Sequence, residues 1–275
     1  MFGRKVDIFT LFTFGLFLFV SACGGGGGDS GGTSATANTP EAASYNVRAS
    51  TLNEETERVW SYLERYQWYI NNGYNLSLPD HPLIAELVDK SLNGALNRED
   101  DYPGLLAVMS IIYDDNDYVA ALNALDEGLA QIAQCRPVFL EYKSVWASQG
   151  WDFKTFDSYT IRVTLYGTAG SYNPANGTII VRARTDGTFS KNPASTVIHE
   201  SVEIAIYEEV AVKFGLTHWV KERIVGRFCF DNFGYTMQAA ADKSIDPYLD
   251  HPDSWQRLPY YVGQYLLEQT RLIQS

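Results

Sequence analysis

Residues Asn192 to Arg227 read NPASTVIHESVEIAIYEEVAVKFGLTHWVKERIVGR, and the rest of the chain is read outward from them. Pro193 suits the first turn of a helix, and Asn192 before it can cap the free amides there. Val197, Ile198, Val202, Ala205, Ile206, Val210 and Phe214 then recur at helical spacing, and Gly215 closes the segment. Inside it stands His199-Glu200-Ser201-Val202-Glu203. His199 and Glu203 are four positions apart, which stacks their side chains on one helix face. That face is otherwise apolar, so two ionisable groups on it are costly unless paired, hydrogen-bonded or bound to a metal. A second helix is predicted to start at Thr217, a suitable N-cap. It carries His218 and Glu222, again four apart. Two antiparallel helices bearing these residues can converge on one cation.

The arrangement resembles the zincin metallopeptidases of the thermolysin-like, Glu-ligand type. Their pattern is His-Glu-x-x-His on a helix, with a Glu on a second helix about twenty residues later. Here Glu222 lies eighteen intervening residues beyond Glu203. The resemblance covers Asn192 to Arg227 and the strand before it. It implies that His199 and Glu222 are zinc ligands and that Glu200 is the general base. Glu203 stands where the family has its second His, and Gly226 where it often has an Asp that buttresses a ligand. The metal set is therefore His199, Glu203 and Glu222, with His218 as a fourth candidate. Two carboxylates make a metal-bound water less acidic than neutral ligands do, and they also suit manganese or magnesium. The alternative is a cluster without a cofactor, in which His199, Glu203 and an Arg such as Arg223 form a buried polar network.

Ahead of this region, residues 1–23 read as a processing segment. Arg4 and Lys5 precede an apolar run from Ile8 to Val20, and Val20-Ser21-Ala22-Cys23 matches the bacterial lipobox. The run is short for a membrane span. Cys23 is therefore expected to be diacylated and to become the new N-terminus. Gly24 stands where an inner-membrane-retention Asp would sit, which points to the outer membrane, facing the periplasm or the exterior. Residues 24–50 are rich in Gly, Ser, Thr and Ala and are expected to form a flexible tether. Two cysteines remain, Cys135 and Cys229. Outside the cytoplasm such a pair can form a disulfide or stay as two buried thiols. The formal charge is −12, and it becomes one unit more negative without the leader. An acidic body argues against nucleic acid as a partner. The expected partners are the membrane, through the lipid anchor, and a peptide or envelope polymer.

The folded part divides in this reading into a helical region, 51–150, and a zincin-like α+β region, 151–275. Leu52 to Asn72 reads as one long helix whose aromatic residues Trp60, Tyr62, Tyr66, Trp68 and Tyr69 suit core packing or a carbohydrate platform. Pro82 to Leu96 and Gly104 to Tyr113 are further helices. Asp114-Asp115-Asn116-Asp117 lacks the spacing of a calcium loop and suits the cap of a helix from Tyr118 to Gln134. His81 and His251, each followed by Pro, read as turn residues. From Ser158 to Gly167 the period becomes two, which predicts a half-buried strand. Gly167 to Gly177 reads as a loop and Thr178 to Arg184 as a second strand. The pair is expected to form an antiparallel hairpin packed on the His199 helix, with Thr178 to Ala183 resembling the zincin edge strand or serving as a structural hairpin. The predicted class is α+β and mainly helical. The function implied is a metal-dependent peptide hydrolase in the cell envelope, or a non-catalytic lipoprotein that binds a peptide or glycan.

Overall fold

The computed structural model describes residues 44–235 and 242–274, so the lipobox and Cys23 lie outside the described residues. The class is α+β and mainly helical, with a small four-stranded mixed sheet. The first described element is β1 (Ser44–Ala49), which falls within the segment read as tether and corrects that boundary. It pairs in parallel with β2 (Ser158–Thr164), Val47 opposite Ile161. Alternation of Tyr45, Val47 and Ala49 is a weak local signal, and the strand exists because β2 offers it a ladder.

The expected hairpin also differs. β3 (Gly170–Asn173) lies inside the predicted loop and pairs antiparallel with β4 (Thr178–Arg182), while β4 runs parallel to β2. The sheet order is β1-β2-β4-β3, so β4 is internal and β1 and β3 are the edge strands. Gly, Ser and Asn have poor strand propensity, and tertiary pairing overrides it here. Ser171 receives the Arg58 guanidinium at 3.1 Å, and Tyr172 is buried under the helices.

Helices cover the sheet. α1 (Leu52–Glu64) starts on a capping box of Thr51 and Glu54, and the Glu54 carboxylate also binds Arg48 and Arg162, tying the helix start to β1 and β2. The expected single helix breaks at Arg65, and a short α2 (Tyr66–Asn71) follows. α3 (Pro82–Leu92) is capped by His81, whose Nδ1 accepts from Leu83 N at 3.1 Å; the turn His thus has a definite task. α4 (Arg98–Ile112) begins well before Gly104 because Asn97 caps it. Asp114 caps a 3-10 turn that leads into α5 (Val119–Gln134), as the acidic run suggested, and α6 (Arg136–Ala147) follows.

α7 (Pro193–Tyr207) is the pivot. Asn192 Oδ1 accepts from Ala194 N at 2.9 Å, and the helix then runs buried on nearly every side, against α5, β3 and β4. A helix buried all round lies inside a protein, and its ionisable residues must find their partners there. It passes into a wider π turn, Glu208–Lys213, where buried Glu209 accepts from Asp152 N at 2.8 Å. Then come α8 (His218–Phe233), capped by Thr217 and closed by left-handed Gly234, the short α9 (Asp246–Leu249) and α10 (Leu258–Gln274). One main core runs from Tyr118 to Tyr265, so packing continues across residue 150. A second cluster joins α1, α3 and α4 through Val59, Leu63, Ile84, Leu87 and Met109. Among the described residues no helix is long and apolar enough to cross a membrane.

Candidate metal centre

α7 and α8 pack together and bring their ionisable residues to one point. His199 Nε2 lies 3.5 Å from Glu222 Oε2 and 4.0 Å from Glu203 Oε1. One ligand atom from each of these three residues lies within 4.8 Å of the others, so the group could hold a metal ion. Ligands about 2.1 Å from a tetrahedral zinc stand roughly 3.4 Å apart, so small side-chain shifts satisfy that geometry. His199 is 8 % exposed, Glu203 and Glu222 essentially not at all. Buried side-chain polar atoms are normally satisfied. Here His199 Nε2 and Glu222 Oε2 make no hydrogen bond, while Glu222 Oε1 meets the Lys221 ammonium at 3.2 Å. The donor set and its orphaned atoms therefore fit a cation.

His218, the fourth candidate, stands beside this group rather than within it. Its Nδ1 is 3.7 Å from Glu222 Oε1 and makes no hydrogen bond, while its Nε2 is 2.6 Å from the Tyr74 hydroxyl. Tyr74 comes from the turn after α2 and stacks on Trp219, whose ring meets His218 edge-on. Glu200 is fully buried on the side of α7 that faces β3, and neither carboxylate oxygen has a hydrogen-bond partner. The approach is close because β3 has no side chain there: a Cβ on Gly170 would stand 2.3 Å from Glu200 Oε1.

The sequence reading missed the cation that the chain itself supplies. Lys221 is 1 % exposed, and its Nζ lies 2.6 Å from Glu203 Oε1, 3.2 Å from Glu222 Oε1 and 3.3 Å from the Tyr172 hydroxyl. Arg223, proposed for this role, instead binds Asp246 through Nε and Nη2 at 2.5 Å each. Lys221 and Arg223 flank Glu222 in sequence, and only the roll of α8 decides which one faces α7. A buried Lys beside a candidate ligand, on a helix with few other cations, was the signal available.

Burial governs the protonation of the cluster. It pushes the Glu200 carboxyl well above the usual range, reinforced by Glu203 and Glu222. It also raises Glu203, again with Glu222, against the pull of Lys221. Burial lowers His199 to about 4 against the opposing Glu203, and lowers His218 to about 4 with help from Lys221. Burial alone would lower Lys221, but Glu203 and Glu222 outweigh it and raise the ammonium. Three buried carboxylates and one buried ammonium leave two negative charges to be balanced, by protons or by a divalent ion.

Cys135 and Cys229 stand as two free, buried thiols. Burial pushes Cys135 up to about 12 and Cys229 well above the usual thiol range, so neither offers the thiolate that disulfide exchange needs. His251 is exposed and stacks on Tyr261, as its turn context suggested. Compared with models of known protein families, with curated proteins and with solved structures, the chain matches none.

Proposed function

We propose that this is a lipid-anchored cell-envelope protein in which His199, Glu203 and Glu222 bind a divalent metal ion, zinc or manganese, for peptide hydrolysis. The observation that carries this reading is the convergence of three buried ligand groups whose His199 Nε2 and Glu222 Oε2 lack hydrogen bonds. A divalent ion there would supply Lewis acidity to a scissile carbonyl and to a water molecule. Glu200 is the residue for proton transfer. It follows His199 directly, its oxygens are uncommitted, and its burial keeps competing water away. With a divalent charge nearby Glu200 can ionise and accept a proton from the attacking water. His218, held by Tyr74, brings its Nδ1 to 3.7 Å from Glu222 Oε1. The lipid anchor rests on Val20-Ser21-Ala22-Cys23.

Elemental analysis of the full chain, purified without chelator and supplied with zinc or manganese, tests the site. Stoichiometric metal is expected, and His199→Ala, Glu203→Ala and Glu222→Ala should each release most of it. Glu200→Gln should retain metal and lose turnover by about 100- to 10,000-fold on a peptide substrate. A second reading has its own support: Lys221 at 2.6 Å from Glu203 already places a cation in the cluster, as a metal-free binding module would need. Absence of metal from both the wild type and Glu203→His, which installs the family's ligand, would favour that second reading.

A further inference from the structure

Two of the three candidate ligands already face a positive charge. Lys221 Nζ sits 2.6 Å from Glu203 Oε1 and 3.2 Å from Glu222 Oε1, and the Tyr172 hydroxyl at 3.3 Å steadies it from β3. The side chain is buried, so the ammonium has no water shell to return to without moving a considerable distance. A metal ion using Glu203 and Glu222 would therefore stand within a few ångströms of it, where repulsion between cations is strong.

We propose that Lys221 is a built-in competitor for the metal. It holds Glu203 and Glu222 together in the metal-free chain and sets how much ambient ion is needed to load the site. The proposal rests on the metal-binding reading of His199, Glu203 and Glu222. Its physical core is charge replacement. In structural zinc sites the metal-free ligands repel or stay unpaired, and the domain unfolds without its ion. Here an ammonium from the same helix as Glu222 does part of the ion's electrostatic work. The chain then folds first and takes up metal afterwards, into a site already assembled. The same ammonium lowers affinity, because the ion must share two carboxylates with it or displace it. Occupancy consequently follows the free metal concentration of the compartment, and Lys221 regulates a site in which it is not a ligand.

The test compares wild type and Lys221→Met as full chains purified in detergent, using chelator-competition titrations with zinc alone and with manganese alone at one fixed pH. Thermal melts in chelator accompany them. Lys221→Met should bind at least about tenfold more tightly than wild type. In chelator it should melt below wild type, and added metal should close that gap. Equal affinities in the two proteins, together with equal melting in chelator, overturn the competitor role while leaving the metal site standing. If neither protein binds either ion, the metal-binding reading itself fails, and this inference with it. Should Lys221→Met not fold in chelator, refolding with zinc decides: recovery supports the proposal. Tyr172→Phe provides the milder control, since it keeps the packing and removes only the hydroxyl that steadies Nζ. Tighter binding in it supports the role, and unchanged binding combined with failed zinc refolding of Lys221→Met rejects it.

Discussion

Replacing Gly170 by Ala places a methyl group where β3 passes α7. Its carbon would stand 2.3 Å from Glu200 Oε1, 2.8 Å from Thr196 Cγ2 and 3.1 Å from Glu200 Cδ. Ordinary contact begins at 3.4 Å, so the overlap with the carboxylate oxygen is about 1 Å. The φ angle at Gly170 is not in the left-handed region, so the effect is one of space alone. Glu200 is fully buried and cannot swing to solvent, which leaves displacement of its carboxyl or of β3. Overpacking of this kind costs about 1–3 kcal/mol. For a folded part of this size that corresponds to a fall in melting temperature of about 2–12 °C. Thermal melts of Gly170→Ala, Glu200→Ala and the double variant isolate the cause. The double variant should recover part of the loss, with a coupling of about 0.5–3 kcal/mol, since the Thr196 contact remains. Strict additivity, or a Gly170→Ala variant as stable as wild type, would refute the packing of Glu200 against β3.

Three further outcomes are expected. In chelator, His218 stays neutral down to about 4, whereas in the unfolded chain it protonates near the ordinary value of 6.5. The unfolded state therefore binds more protons between these values, and stability is withdrawn as pH falls from 6.5 toward 4, by up to about 3 kcal/mol. Glu203, with its raised pKa, works in the opposite sense in the same window, so the comparison is between variants: urea midpoints at pH 7.5 and 4.5 should show His218→Gln losing less stability on acidification than wild type, and an equal loss in both contradicts burial of the ring. Thiol counting under denaturing, non-reducing conditions should find two thiols, Cys135 and Cys229, with Cys23 blocked; Cys23→Ser should abolish labelling by a fatty-acid analogue, and undiminished label rejects the anchor.

Local signals carried over well from sequence to structure. The Asn192 cap, the Pro193 start and the Thr217 cap are each decided by a few neighbouring residues, and all three are in place. So is the four-residue spacing that aligns His199 with Glu203. What was not legible depends on distant partners. β1 and β3 are strands because of ladders contributed by β2 and β4, not because of their own propensities. Tyr74 reaches His218 across 144 positions, and nothing near Tyr74 announces it. The choice between Lys221 and Arg223 turns on the rotation of α8 about its axis. A periodic pattern cannot fix that rotation when neighbouring positions Val220 to Gly226 are all buried.

The parallel pairing of β1 with β2 also bears on how quickly the molecule can be made. The bond from Ser44 to Asp157 closes a span of 113 positions, and every residue of that ladder is similarly non-local. Such contacts are reached only after a large loop has been closed, which slows folding without changing final stability. During synthesis β1 emerges long before β2 exists to receive it. Its unpaired edge is then open to wrong partners for as long as the intervening helices take to be made. A holdase acting on that early strand would raise the yield of folded protein and leave its equilibrium melting unchanged.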